Sequence, residues 1–308
     1  SLTSENNLGC AAVSDTLTIE LNTFDSQINA DIENVICFQG NDGTIDLSVG
    51  NQYTNYDYNW SNGMTTEDLS GLSVGTYNVI VTDLAGCTDS ASYVIAEPND
   101  LIINISSLSD YSGFNTSCDA SNDASIDLSV NGGTQPYSYN WVTSNGINIA
   151  NTEDITNLTS DTYSIIVTDE NGCIVSEDIA LTAPSPIQLN DTVLVYNSGD
   201  NISCFGANDS EIQLDIIGGI PGYDIVWTTQ NGTGLISTNE DQSGLTVGTY
   251  NIEVSDLNGC VLNATYSLTQ PEELLLDMVS STFPSGDNIS CYGVSDGSIE
   301  VTVNGGSS

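Results

Sequence analysis

A phrase built of a cysteine, a turn with an aspartate five places on, and an alternating apolar run occurs four times. It reads CFQGNDGTIDLSV from Cys37, CDASNDASIDLSV from Cys118, CFGANDSEIQLDI from Cys204 and CYGVSDGSIEVTV from Cys291. The intervals are 81, 86 and 87 residues, and a fixed period means an array of one small folding unit. Trp60, Trp141 and Trp227, the Gly-Cys cysteines Cys87, Cys173 and Cys260, and Pro98, Pro184 and Pro271 keep the same beat. The markers divide the chain into the tail of one repeat (1–21), three whole repeats (22–98, 99–184 and 185–271) and the head of another (272–308). Cys10 lies in the leading tail, with Leu21 at the proline's place, and both ends read as cut from something longer.

Within each repeat the period is two. Thr44–Val49, Tyr56–Trp60, Thr76–Asp83 and Thr88–Ala96 alternate or nearly alternate, are rich in β-branched and aromatic residues, and are separated by Gly, Asn, Asp and Ser turns. No amphipathic helical pattern stands out. About seven short strands per repeat predict an all-β chain, a tandem array of immunoglobulin-like (PKD-like) β-sandwiches. Trp60, Trp141 and Trp227 each end the third strand, where such sandwiches bury a tryptophan. LSVGTY, LTSDTY and LTVGTY place Tyr77, Tyr163 and Tyr250 at the start of the next-to-last strand, the pattern of a tyrosine corner. These six aromatics read as core and corner residues, with a sugar-stacking platform as the alternative.

The charge balance excludes much chemistry. There are 42 Asp and Glu against no Lys, Arg or His. No side-chain salt bridge can form, no cationic side chain can grip a nucleic-acid backbone, and no imidazole or lysine amine is available as base or nucleophile. Such an acidic chain repels nucleic acid and anionic membranes and attracts cations. Lys-Asn isopeptide braces are likewise impossible. The 39% of apolar residues suffices for cores, so disorder is not expected. No apolar run is long enough for a membrane helix.

The motifs C-F-x-G-x-D-G-x-I, GG-x-x-PY-x-Y-x-W (Gly132 to Trp141), L-x-x-G-T-Y-x-x-x-V-x-D-x-x-G-C and a closing proline resemble the SprB repeat family, over essentially the whole chain. Gly50–Tyr56 (GNQYTNY), Asp119 and Ile225 depart from the pattern in loops and leave the fold expectation intact. The resemblance implies a secreted protein attached to the outer membrane, exported by the type IX secretion system and moved by a gliding machinery. It implies a filament that adheres to external surfaces or polysaccharide, with neighbouring repeats of the same chain as its first partners.

Eight cysteines at regular positions, with no His and no C-x-x-C, read as a disulfide framework in an oxidising compartment. Free buried cysteines of a cytosolic array are the alternative. In the inferred strand order, the first cysteine of a repeat sits at one pole and the Gly-Cys cysteine at the other. A strand of about seven residues spans roughly 23 Å, whereas a disulfide needs Cα atoms within about 7 Å. A head-to-tail array instead brings together Cys37 with Cys173 and Cys118 with Cys260, while Cys10 and Cys87 would pair before residue 1 and Cys204 and Cys291 after residue 308. Bonds within repeats remain the alternative, because the strand order is itself inferred.

Asp42, Asp123, Asp209 and Asp296 lie five residues after the first cysteine, and Asp83, Asp169 and Asp256 four before the second. Hard oxygen ligands at a domain boundary suit calcium, and turn formation is the competing reading. Asp-Ser/Thr-apolar triplets mark Thr16, Ser90 and Thr192 as O-glycosylation candidates. Carboxylates that recur in every repeat do not make the single constellation an enzyme needs. The expectation is a non-catalytic stalk segment of a very large cell-surface adhesin, with a polysaccharide-binding module as the alternative.

Overall fold

The structure, a computed structural model, describes residues 27–50 and 55–306. Cys10, Thr16 and Leu21 fall outside the described residues. Every regular element among the described residues is a strand.

In the first repeat the strands are β1 (Gln27–Glu33), β2 (Gly43–Gly50), β3 (Tyr56–Trp60), β4 (Leu69–Leu72), β5 (Gly75–Asp83) and β6 (Thr88–Ile95). They form two antiparallel sheets, β1-β2-β4 and β3-β5-β6. Alternation decides which face is inward. Ile45 and Leu47 of β2 are buried while Asp46 and Ser48 are exposed, and Val79 and Val81 of β5 are buried while Asn78 and Ile80 are not. The inward faces meet in one core with Val35, Trp60, Leu69, Leu72 and Ile95. Consecutive strands that switch between two facing sheets make an immunoglobulin-like sandwich.

The second repeat contains β7 (Ile102–Leu108), β8 (Ala124–Asn131), β9 (Ser138–Thr143), β10 (Asn148–Ala150), β11 (Ile155–Leu158), β12 (Thr162–Thr168) and β13 (Ile174–Ala180). Its sheets are β11-β8-β7 and β10-β9-β12-β13. In the third repeat the first strand is split into β14 (Gln188–Leu189) and β15 (Thr192–Val193), and the second into β16 (Ser210–Gln213) and β17 (Ile216–Ile217). The breaks fall beside Asp191 and Asp215, residues disfavoured in strands, yet the Asn190 amide still donates to the Asp215 carbonyl at 2.9 Å. The sheet β18-β20-β21 is complete, from β18 (Asp224–Thr229), β20 (Gly248–Ser255) and β21 (Val261–Leu268); β19 (Gln242–Leu245) joins β15 and β16. Beyond these, β22 (Glu272–Ser280) and β23 (Ile299–Gly306) pair with each other.

By contacts the chain divides into two compact units. One comprises the residues up to Asn104 with Val130–Ser138 and Ile166–Val175; the other comprises Ile105–Ser129, Tyr139–Ile165 and the residues from Ser176 on. The first unit thus holds the whole first sandwich together with the Cys173 turn.

The aromatic markers are locked to backbone. Trp60, Trp141 and Trp227 are buried, and their indole N–H groups donate to the carbonyls of Thr66, Thr152 and Asn239 at 2.9, 3.0 and 2.9 Å. The phenols of Tyr77, Tyr163 and Tyr250 donate to the carbonyl four residues back, those of Ser73, Thr159 and Thr246. A buried indole already bonded to a carbonyl presents no face to a sugar.

Tyr250 is fully buried and also lies 2.9 Å from the Thr233 carbonyl. Tyr250→Phe removes the buried phenol's hydrogen bond to the Thr246 and Thr233 carbonyls, which costs about 1 kcal/mol, read as faster hydrogen exchange of the β20 amides. Tyr77→Phe, at a half-buried position, has the smaller effect; equal effects would contradict the corner assignment.

Candidate functional site at the repeat junctions

Each repeat builds two specialised ends. At the first end the cysteine loop is tied to the close of the last strand. In the first repeat the Val35 amide donates to the Ala96 carbonyl at 3.0 Å, and the Asn34 side chain accepts from the Ala96 amide at 2.9 Å. In the third repeat the Ile202 amide donates to the Thr269 carbonyl at 3.1 Å, and Asn201 accepts from the Thr269 amide at 3.0 Å. The residue before the proline adds a further tie: Glu97 accepts from the Gln39 amide at 2.7 Å and Gln270 from the Gly206 amide at 3.0 Å. Across the loop, the aspartate five after the cysteine accepts an amide, Asp42 from Ile36, Asp123 from Ser117, Asp209 from Ser203 and Asp296 from Ser290, at 3.1 to 3.2 Å.

The second end is the turn before the last strand. Asp83, Asp169 and Asp256 are buried, and one carboxylate oxygen of each accepts from the amide of the Gly-Cys cysteine at 2.8, 2.9 and 2.9 Å. The same oxygen accepts the amide two residues on, from Ala85, Asn171 and Asn258. In Asp169 and Asp256 the other oxygen accepts an amide from the Gly-Gly loop, Thr134 at 2.9 Å and Ile220 at 2.8 Å.

That loop explains its own glycines. Gly219 has a φ of +58°, and a Cβ there would come within 2.7 Å of Ile187 and 2.8 Å of Asp256. Its amide donates to the Ser185 carbonyl at 2.8 Å, while Tyr223 donates to the Gly218 carbonyl. Gly133 repeats the arrangement, with its amide on the Asn99 carbonyl at 2.9 Å. The Gly-Gly pair therefore lets the linker after each proline lie against the loop.

The two ends of one sandwich lie apart. The Cys37 loop is held at the close of β6 and Cys87 precedes its start, so eight residues of strand separate them, about 26 Å. Cys204 and Cys260 are divided in the same way by β21. The structure instead joins Cys37 to Cys173 and Cys118 to Cys260, each with Cα atoms 5.7 Å apart, inside the range a disulfide needs. Those are the inter-repeat pairs named from the sequence. Around the second bond the Asn258 amide group donates to the carbonyls of Tyr111 and Ser117 at 3.3 and 3.2 Å, and its oxygen accepts from the Ser112 hydroxyl at 2.9 Å. Cys87, half-buried, and Cys204 and Cys291, both exposed, are free thiols.

Among the described residues no three acidic or cysteine side chains gather as a metal site requires. All seven aspartates are engaged by backbone amides, which is turn capping. Ser90 and Thr192 are exposed, on β6 and β15. Sequence reasoning missed the asparagine three before each cysteine and a second set of caps, in which Asp68, Asp154 and Asp241 accept the amides of Leu47, Leu128 and Leu214 at 3.0, 2.9 and 2.9 Å. The asparagine keeps a constant offset that would have revealed it.

Comparison with known proteins adds a family. The SprB repeat model matches four segments, 29–65, 115–146, 198–232 and 286–308. No curated protein matches the chain. Among solved structures it is similar to Dpr2 Ig1-Ig2 in complex with DIP-Theta Ig1-Ig3 at 12% identity, covering 78% of this chain and 98% of that one, with a TM-score of 0.29. It is similar to domains 3–5 of Drosophila OTK at 12% identity, covering 80% and 97%, with a TM-score of 0.26. The insect immune protein hemolin stands at 11% identity, 78% and 99% coverage and a TM-score of 0.22. Likenesses at these TM-scores carry no argument about this chain, and the immunoglobulin-like assignment rests on the strand order.

The Ser203 hydroxyl, foremost, and its amide hold the Asp209 carboxyl below its ordinary value of 3.8. A depressed folded value means stability that is present above the ordinary value and lost as pH falls through the folded one. Asp209→Asn is therefore expected to destabilise the Cys204 loop at neutral pH, and the gap from wild type to close in acid, measured by hydrogen exchange against pH. A gap that is unchanged in acid would remove the cap from Asp209.

Proposed function

Because the chain carries SprB repeats, we propose that it is a non-catalytic stalk segment of a very large cell-surface adhesin that serves surface attachment and gliding motility. The observation that carries this reading is the pair of overlapping disulfides, Cys37–Cys173 and Cys118–Cys260. A staple from each sandwich to the next shortens the covalent path along the array, so that tension bypasses the linkers at Pro98 and Pro184. That is a property of a load-bearing rod.

Three further features support it. Disulfides suit an oxidising, extracellular setting. A uniformly acidic surface keeps neighbouring filaments apart. The aromatics that could have formed a carbohydrate platform are buried or bonded to backbone, which disfavours the polysaccharide-binding alternative for these repeats and leaves adhesion to other parts of the protein. In this reading the outer-membrane anchor, the type IX export route and the gliding machinery engage regions outside residues 1–308.

Antibodies raised against the chain are expected to label intact cells as extended surface fibres, and beads coated with them to be carried along the cell. Labelling only after permeabilisation would overturn the surface assignment. Surface-bound beads that never move would overturn the gliding role while leaving the stalk in place.

A further inference from the structure

A groove of about 460 Å³ opens beside the free thiol of Cys204, lined by Phe205, Pro271, Leu274 and Gly306 among others. The chain contains the same groove elsewhere. Beside Cys37, a cavity of about 180 Å³ is lined by Phe38, Pro98, Leu101 and Gly133, at the matching positions of the repeat, and Cys173, Ile174 and Val175 add a wall that the first groove lacks. The smaller volume is the groove with a Gly-Cys turn seated in it and the disulfide closed. Leu101 is 7% exposed there, whereas Leu274 is 65% exposed.

The backbone at Cys204 is already set for docking. The loop carries the same ties as its closed counterpart: Asn201 on Thr269, Gln270 on the Gly206 amide and Asp209 on the Ser203 amide. Cys291 offers a contrast within the same molecule. It has the aspartate cap, and its cavity is lined by residues of its own loop, Asp287 to Val294.

We propose that the groove at Cys204 is a docking site for the Asp-x-x-Gly-Cys turn of another repeat of this kind, which seats its cysteine and the two residues after it against Phe205 and Leu274 and closes a third staple through Cys204. Joining the two thiols releases two protons and passes two electrons to a disulfide oxidant such as oxidised glutathione, which is reduced to two thiols. The recognition precedes the chemistry. The groove selects the turn, and the bond then fixes it. This inference rests on the repeat geometry and holds whether or not the protein acts in gliding.

The test uses the whole chain and a capped synthetic peptide of the sequence Asp169–Val175, its cysteine carried as the mixed disulfide with thionitrobenzoate. The Cys204 thiolate attacks the peptide sulfur, the new disulfide forms, thionitrobenzoate leaves with the electron pair, and the thiol proton goes to buffer. Rates at each cysteine are read by mass spectrometry after Asp- or Glu-directed cleavage. The native turn peptide is expected to couple to Cys204 about tenfold faster than a scrambled one, with ratios near one at Cys291 and Cys87, and Leu274→Ala is expected to bring the Cys204 ratio down towards theirs. A ratio near one at Cys204, an equal preference at Cys291, or no coupling at Cys204 with either peptide would overturn the proposal.

Discussion

The disulfide between one repeat's first cysteine and the next repeat's Gly-Cys turn is the interaction on which the array depends. With no Lys, Arg or His, the protein has no attractive side-chain charge pair to spend at a boundary between sandwiches, and its carboxylates repel one another there as everywhere. A surface ion pair would contribute only about 0–1 kcal/mol. Closing a loop as long as the 136 residues between Cys37 and Cys173 restricts the unfolded chain by about 5 kcal/mol in the chain-entropy account. The covalent staple is thus larger than the ionic brace the composition forgoes, and it is insensitive to salt.

Around that bond the acidic residues take a structural part. Asp83, Asp169 and Asp256 turn the chain so that the Gly-Cys cysteine faces outward, and the last two also hold the Gly-Gly loop against the linker. Asp42, Asp123, Asp209 and Asp296 shape the opposing loop. Each carboxylate is used as an acceptor for amides that a turn would otherwise leave unpaired. A chain without bases can still satisfy its carboxylates, because every turn supplies backbone donors.

Much of this was legible in the sequence, for identifiable reasons. Strands whose inward residues alternate cleanly, such as Ile45 and Leu47 or Ile252 and Val254, announce themselves by period. The poles of the cysteines followed from strand order alone, since a single strand is too long for a disulfide to cross. What escaped notice depends on partners far apart in sequence. Asp68, Asp154 and Asp241 recur at intervals of 86 and 87 residues, nine before Tyr77, Tyr163 and Tyr250, but their role as caps on the second strand was hidden because the amides they accept lie 21, 26 and 27 residues away. The split of the first strand at Asn190–Asp191 is a local polar interruption whose pairing is rescued across the sheet. Calcium was suggested by carboxylates at a boundary, and only the hydrogen bonds show that those oxygens already face amides.

Pulling single molecules from their two ends tests directly whether tension passes from sandwich to sandwich through Cys37–Cys173 and Cys118–Cys260. The oxidised chain is predicted to reach its limit of extension roughly 55 nm short of the same chain in reductant, at about 3.3–3.6 Å per residue kept out of the covalent path. Equal final extension in both conditions would mean that the repeats are separately closed domains on a string and that the staples carry no load.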